Sequence, residues 1–342
     1  MARPIGRSAL LIVLPSLLAA FLLWAFAWPA ARIAPRDLPL GVAGPSNAVA
    51  RVEQGLAGHA GSQAFSFHWY ANASAAKAGI EDREVYGAVV AGPQGPQVLT
   101  ASAASPAVAT MLQQAATQMP GGPVPVTDVV PLPSADPRGA AFASSVLPTV
   151  VVGVALGALA SLVMSGLRRR LLMLGVASLG AGATAALIGN NWLGMVTGNW
   201  VADAAVISLV VLAVSAAVSA MGIMMRHKGV GLAALVMMLL GNAWSGVTSA
   251  PELLPGAIER IGRLLPAGAG AAAVRDTSFF DGRGLQGPVT VLAAWAVIGL
   301  ALTAFAPRLI NRRFPAHAVS TRAVIPTLVP ERGDVETARR QG

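Results

Sequence analysis

Six stretches of the chain, 8–28, 146–167, 171–189, 204–225, 229–249 and 287–307, contain no Asp, Glu, Lys, Arg or His. Each approaches or exceeds the roughly 20 helical residues needed to cross the apolar core of a bilayer. Between the first and second runs the pattern changes. "LPLGVAG" (38–44), "AFSFHWYA" (64–71), "YGAVVAG" (86–92), "PQVLTAS" (96–102) and "VPVTDVVPL" (124–132) are short apolar or alternating runs that predict strands. Residues 46–59, 74–84 and 105–119 predict helices, with Ser46 as a cap and Pro106 in a first turn. "GPQG" predicts the turn of a hairpin. The order βαβαββαβ predicts one α/β domain over 30–145.

A second departure follows the fifth run. Prolines 251, 255 and 266 bracket "GAIERIGRLL", with 258, 261, 264 and 265 on one face and Glu259, Arg260 and Arg263 on the other. This predicts an amphipathic helix at the outer interface, or one dipping back into it, within a segment 250–286. Glu259, Arg260 and Arg263 are candidates for an outer gate. The expected fold is a polytopic α-helical membrane protein with six transmembrane helices and an inserted extracytoplasmic α/β domain. The pieces are an anchor (1–29), the α/β domain (30–145), five helices (146–310) and a tail (311–342).

Composition agrees with a membrane: 55% of the 342 residues are hydrophobic and 11% charged, against about a quarter charged in soluble domains. The net charge of +9 does not point to nucleic acid, because the basic residues flank apolar runs instead of forming one soluble face. They also orient the chain. With the N-terminus inside, the cytoplasmic pieces hold 14 of the 24 basic residues and three of the 15 acids, as the positive-inside rule requires. Arg168, Arg169 and Arg170 then anchor a cytoplasmic turn and are candidates for contact with a cytoplasmic partner. The first run could instead be a cleaved secretion signal; its length and the interfacial Trp24 and Trp28 favour a retained span.

Candidate chemistry is sparse. There is no cysteine, hence no disulfide, thiolate metal site or cysteine nucleophile. His59 and His68 lack metal-ligand spacing, and Asn72 in "NAS" matches the glycosylation sequon by chance. No P-loop and no catalytic motif is present, so neither an enzyme nor a self-powered pump is expected, and no catalytic, cofactor or metal residue is assigned. The six runs hold no ionisable group of the kind ion-coupled transporters use. Asp203, at the outer start of the fourth run, is expected to serve the helix dipole. Gly153, Gly157, Ser161 and Ser165 recur every four residues, a small-residue face for helix packing inside the chain or for a dimer. Of the polar residues Asn190, Asn191 and Asn242, the last is expected to bond a neighbouring helix.

In organisation, and in "LPLGVAG", "YGAVVAGPQGPQVLTASAASPAVATML" and "LPAGAGAAAVRDTSFFDG" (265–282), the chain resembles permease-like membrane proteins of the type-2 ABC exporter superfamily (ABC-2 type), in the phage-infection-protein-like branch. The resemblance implies a bacterial plasma-membrane permease with both termini cytoplasmic. It would work as a homodimer or heterodimer with a separate ATP-binding subunit, moving a lipid, drug or polymer outward. The alternative is a non-transporting scaffold or receptor whose external domain binds an envelope or partner protein.

Overall fold

The computed structural model describes residues 5–61, 63–92, 95–119 and 122–313. The expected tail lies, from residue 314 on, outside the described residues, and so does the side chain of His59.

Strands β1 (Leu38–Ala43), β2 (Phe65–Tyr70), β3 (Gly87–Gly92), β4 (Gly95–Thr100) and β5 (Val126–Asp128) form one sheet in the order β2-β1-β3-β4-β5. All neighbours are parallel except the β3–β4 hairpin. Helices α2 (Ser46–Ala60), α3 (Ala73–Glu81) and α4 (Pro106–Thr117) are its crossovers. Each strand and helix falls where the alternation predicts it. Asn72 caps α3 by accepting the Ala75 N–H, and Ser105 caps α4 ahead of Pro106. Ser46 is not a cap: it lies inside α2, whose first turn bonds instead to the Pro45 carbonyl.

Both sheet faces are completed by residues from the helical part. On one face Ala76 and Ile80 of α3 pack with Val90, Leu99 and the distant Phe280. On the other, Leu38, Leu40 and Val98 pack with Val108 and Leu112 of α4 and with Ala250 and Leu253. The sheet is therefore built into the top of the helical bundle, since removing the bundle would uncover both of its cores.

Among the described residues five helices are long and apolar enough to cross a membrane: α1 (Ile5–Ala30), α5 (Ala140–Leu162), α6 (Leu167–Leu187, extended by a π turn to Trp192), α7 (Trp200–Met225) and α12 (Gln286–Arg313). In α7, 78% of the most apolar window is buried, against 11–28% in the others. It is the axis around which α5, α6 and α12 pack. The others turn Val151, Val176, Leu179, Val297 and Ile298 outward, the surface that only an apolar surrounding satisfies.

The span count of six is corrected by the run at 229–249. Only His227–Ala243 is helical there: α8 (His227–Ala234), a π stretch at 235–240, and α9 (Gly241–Ala243). The chain still traverses the bundle, from beside Met225 at the far end to Val247 beside Phe142 at the sheet end. Its last part does so unwound. Trp244 leaves the helix with its indole N–H donated 2.9 Å to the Ala25 carbonyl of α1, and Gly246 turns the backbone at φ +65, which glycine alone adopts freely. Such backbone persists at membrane depth only when enclosed by protein, and 244–247, 249 and 250 are buried.

After a short turn at Pro251–Leu253 come α10 (Gly256–Leu264) and α11 (Pro266–Phe279). In α11, Ala267 packs with Val214 and Ala217 of α7, while Thr277 reaches Asp203 at its start. The helix thus begins beside the middle of α7 and climbs back to the sheet end. Nearly all of it is buried. In α10, Ile258, Gly262 and Leu265 are buried, whereas Ile261 and Leu264 are exposed. Gly262 sets this orientation, because it lies against the Trp244 backbone where no side chain fits.

Candidate functional site

The unusual chemistry is concentrated where the sheet meets the bundle. Among the described residues four ionisable side chains are nearly or wholly enclosed: Asp136, which accepts the Phe142 N–H at the start of α5, Asp203, Arg275 and Asp276. A buried charge is costly unless paired and hydrogen-bonded, so the partners of each matter.

Asp203 is saturated. It accepts from Thr277 Oγ1 at 2.6 Å, Ser278 Oγ at 3.0 Å and Asn190 Nδ2 at 3.3 Å. It lies in the first turn of α7, behind the Asn199 cap, as the dipole argument requires. Its larger effect is to tie α7, the end of α11 and the π turn after α6 together. Asp276 faces the sheet domain. Arg83, in the left-handed region at φ 66, brings Nε to 3.0 Å from Asp276 Oδ1. The two charges meet without an aligned hydrogen bond. The Arg83 guanidinium also lies 4.7 Å above the Phe280 ring, a cation–π contact. Burial pushes the Asp276 carboxyl up to about 6, with Arg83 and Arg275 pulling against that rise.

Arg275 differs. Only 6% of it is exposed, yet among the described residues its one hydrogen bond runs from Nη2 to the Val247 carbonyl at 2.8 Å. Its guanidinium lies 5.1 Å above Phe142. Asp276, next in sequence, is turned away to Arg83. Burial, then the charge of Arg83, lower the guanidinium to about 10. The bond to Val247 explains part of the placement, because it satisfies a carbonyl of the unwound segment. Arg275 also lines a cavity of about 180 Å³ bounded by Arg138, Phe142, Leu132, Ala103 and Phe279.

That cavity adjoins a larger groove of about 510 Å³ between α1, α5 and residues 242–249. Phe26, Ile33 and Leu147 form its rim and are exposed. Ser144, Asn242, Ser245, Thr248 and Ser249 supply polar atoms to its wall. Asn242 is expected to bond a neighbouring helix; instead it lines this groove, and among the described residues its side chain has no hydrogen-bond partner, while its backbone carbonyl accepts from Ser245 Oγ.

A second polar cluster ties α10 to the sheet. Tyr86 Oη donates to Glu252 at 2.8 Å, and Arg263 bridges Glu252 at 2.6 Å and Glu259 at 3.1 Å. Burial and then Glu252 push the Tyr86 hydroxyl far above its ordinary range. The Trp295 indole closes the end of α10 by donating 2.8 Å to the Leu264 carbonyl. Of the residues grouped as an outer gate, Glu259 and Arg263 are brought together and Arg260 is exposed beside them.

Gly153 and Gly157 lie against Val214, Ser215 and Val218 of α7, and Ser161 against Gly222. That face is filled inside the chain, while Ser165 is exposed past the end of α5. In the arginine triplet, Arg170 donates to the Ala160 and Met164 carbonyls at the end of α5; Arg168 and Arg169 are exposed. His68 is exposed on β2, and among the described residues no three His, Asp or Glu gather as metal ligands. Sequence reasoning missed Arg275, Arg138 and Glu252. A signal was present for the first: "GAGAAAV" ahead of Arg275 is a run of residues too small for anything but close helix packing. No family model, curated protein or solved structure matches this chain.

Proposed function

We propose that the chain is the membrane-embedded subunit of an ABC-type exporter, moving a lipid, drug or polymer outward with a separate ATP-binding subunit as its energy source. The observation that carries this reading is the groove between α1 and α5. It has an exposed apolar rim, a partly polar wall and an unwound backbone stretch at its back, the form suited to admitting an amphiphile sideways from a bilayer. In this reading the membrane is a bacterial plasma membrane, the sheet domain is extracytoplasmic, and both termini are cytoplasmic. A second copy or a related chain completes the transporter through a surface other than the Gly153 face.

One observation favours the alternative of a non-transporting scaffold or receptor. At the end away from the sheet, α5 and α6 are joined by residues 163–166 and α7 and α8 by Arg226 alone, a small landing surface for an ATPase. Purification of the full chain from native membranes separates the two. An exporter retains a stoichiometric ATP-binding protein whose deletion abolishes export; a scaffold retains envelope proteins only. A reporter fused near residue 90 that is active in the cytosol overturns the orientation in both readings.

A further inference from the structure

We infer that Arg275 and Arg138 receive the phosphate-bearing head of an anionic lipid whose acyl chain lies in the groove between α1 and α5. The inference deepens the exporter reading and rests on taking that groove as the amphiphile's path.

The argument begins with an imbalance. Arg275 carries five N–H donors in a planar fork, is nearly enclosed, and uses one donor on Val247. Arg138, across the same cavity, makes no hydrogen bond or ion pair among the described residues. No Asp or Glu lines the cavity. The nearest acid in sequence, Asp276, is committed to Arg83, and Asp136 accepts the Phe142 N–H that opens α5. Arg275 and the exposed Arg138 thus both line a space of about 180 Å³ that no Asp or Glu lines. Guanidinium forks match phosphate oxygens in a two-point geometry.

The second half concerns what the anion is attached to. Ala143, Val247 and Thr248 line both the cavity and the groove, so the two spaces share a wall at one level of the bundle. The groove rim is apolar and exposed, with Phe26 and Ile33 of the α1 side facing Leu147 of α5. An anion held at Arg275 with its tail leaving past Val247 would lie with the tail among these side chains. A free anion would leave the groove without an occupant.

The test uses the full chain in neutral-detergent micelles, without nucleotide, titrated with brominated phosphatidylglycerol, brominated phosphatidylcholine, oleate and inorganic phosphate. Tryptophan quenching reports the tail, read as the difference between the wild type and a Leu147→Trp variant that places an indole on the groove wall. Phosphatidylglycerol is expected to bind at least tenfold more tightly than phosphatidylcholine. R138A, an exposed position that leaves packing untouched, should weaken it about tenfold, and R275Q should reduce it to the phosphatidylcholine level. Should R275Q fail to fold, R138A alone decides. Equal binding of the two phospholipids, or an R138A protein that binds phosphatidylglycerol like the wild type, overturns the inference. Inorganic phosphate that displaces the lipid at equal concentration makes this a free-anion site, and oleate binding as tightly makes it a carboxylate site; either result also overturns it. No step of this test involves an ATPase, so its failure leaves the exporter reading intact, and loss of an ATPase partner leaves the lipid site intact.

Discussion

Tyr86, at the foot of strand β3, donates its hydroxyl to Glu252, 166 residues further along the chain and just ahead of the α10–α11 hairpin. Glu252 in turn receives Arg263 from α10. One carboxylate therefore joins the sheet domain to the hairpin, and in a partly buried setting such charge-assisted bonds are worth about 1.5–3 kcal/mol each. Tyr86→Phe keeps the ring and removes one of them. The expected loss is on the order of 1–2 kcal/mol, read as a lower melting temperature in detergent. Faster amide exchange at the Pro251–Leu253 turn should accompany it.

Asp203 offers a sharper case. Asp203→Ala takes the acceptor of the buried Ser278 hydroxyl and one partner each of Thr277, which keeps the Ala273 and Val274 carbonyls, and of Asn190, which keeps the Ala186 carbonyl. The expected cost is about 1–3 kcal/mol, since one buried donor is left without an acceptor and a small void opens. Asp203→Asn retains one acceptor oxygen and should cost less. A variant as stable as the wild type in chemical denaturation would remove Asp203 from the bundle's framework.

The glycines of α5 and α6 predict opposite outcomes for one substitution. A Cβ on Gly157 would lie 2.5 Å from the Ser215 carbonyl oxygen and 2.7 Å from Val218 Cβ, so Gly157→Ala must push α5 off α7, at about 1–3 kcal/mol. Gly175 in α6 has nothing within 4 Å of that position. Gly175→Ala should leave stability unchanged or raise it by about 0.5–1 kcal/mol. Paired melting curves measure both.

Asp276 gives the pH dependence. Its carboxyl is raised from 3.8 to about 6 in the folded chain, first by burial. An acid raised in this way binds more protons folded than unfolded between those values. Its contribution is therefore full below about 3.8 and is lost as the pH rises through about 6. Overall stability should fall over that window, and Asp276→Asn should flatten the slope. Melting temperatures of the two proteins from pH 4 to pH 7 test it.

How much of this could be read from residues alone varies with the kind of order involved. The sheet domain was legible strand by strand, because alternation and a first-turn proline such as Pro106 are local signals, although the cap read at Ser46 was not one. The long apolar helices were legible for the same reason. The unwound stretch at 244–250 was not, since an uncharged run has the same composition whether or not its backbone stays helical. What ends the helix is a tertiary anchor, the Trp244 bond to Ala25, far away in sequence. Asp203 was assigned to its helix start correctly, but its partners come from α11 and from the turn after α6. Arg275 was not singled out: the small residues ahead of it mark close helix packing, but nothing local states that α11 is threaded into the bundle beside α7.

The turn between α11 and α12 is gripped from above at two points. Arg83 holds Asp276 and covers Phe280, and Asp82, its neighbour, pairs with Arg283 at 3.0 Å. Adjacent residues of one short loop thus clasp both sides of the connection into the last long helix. A force on the sheet would therefore load α11 and α12 together and, through Thr277 and Asp203, reach the central α7.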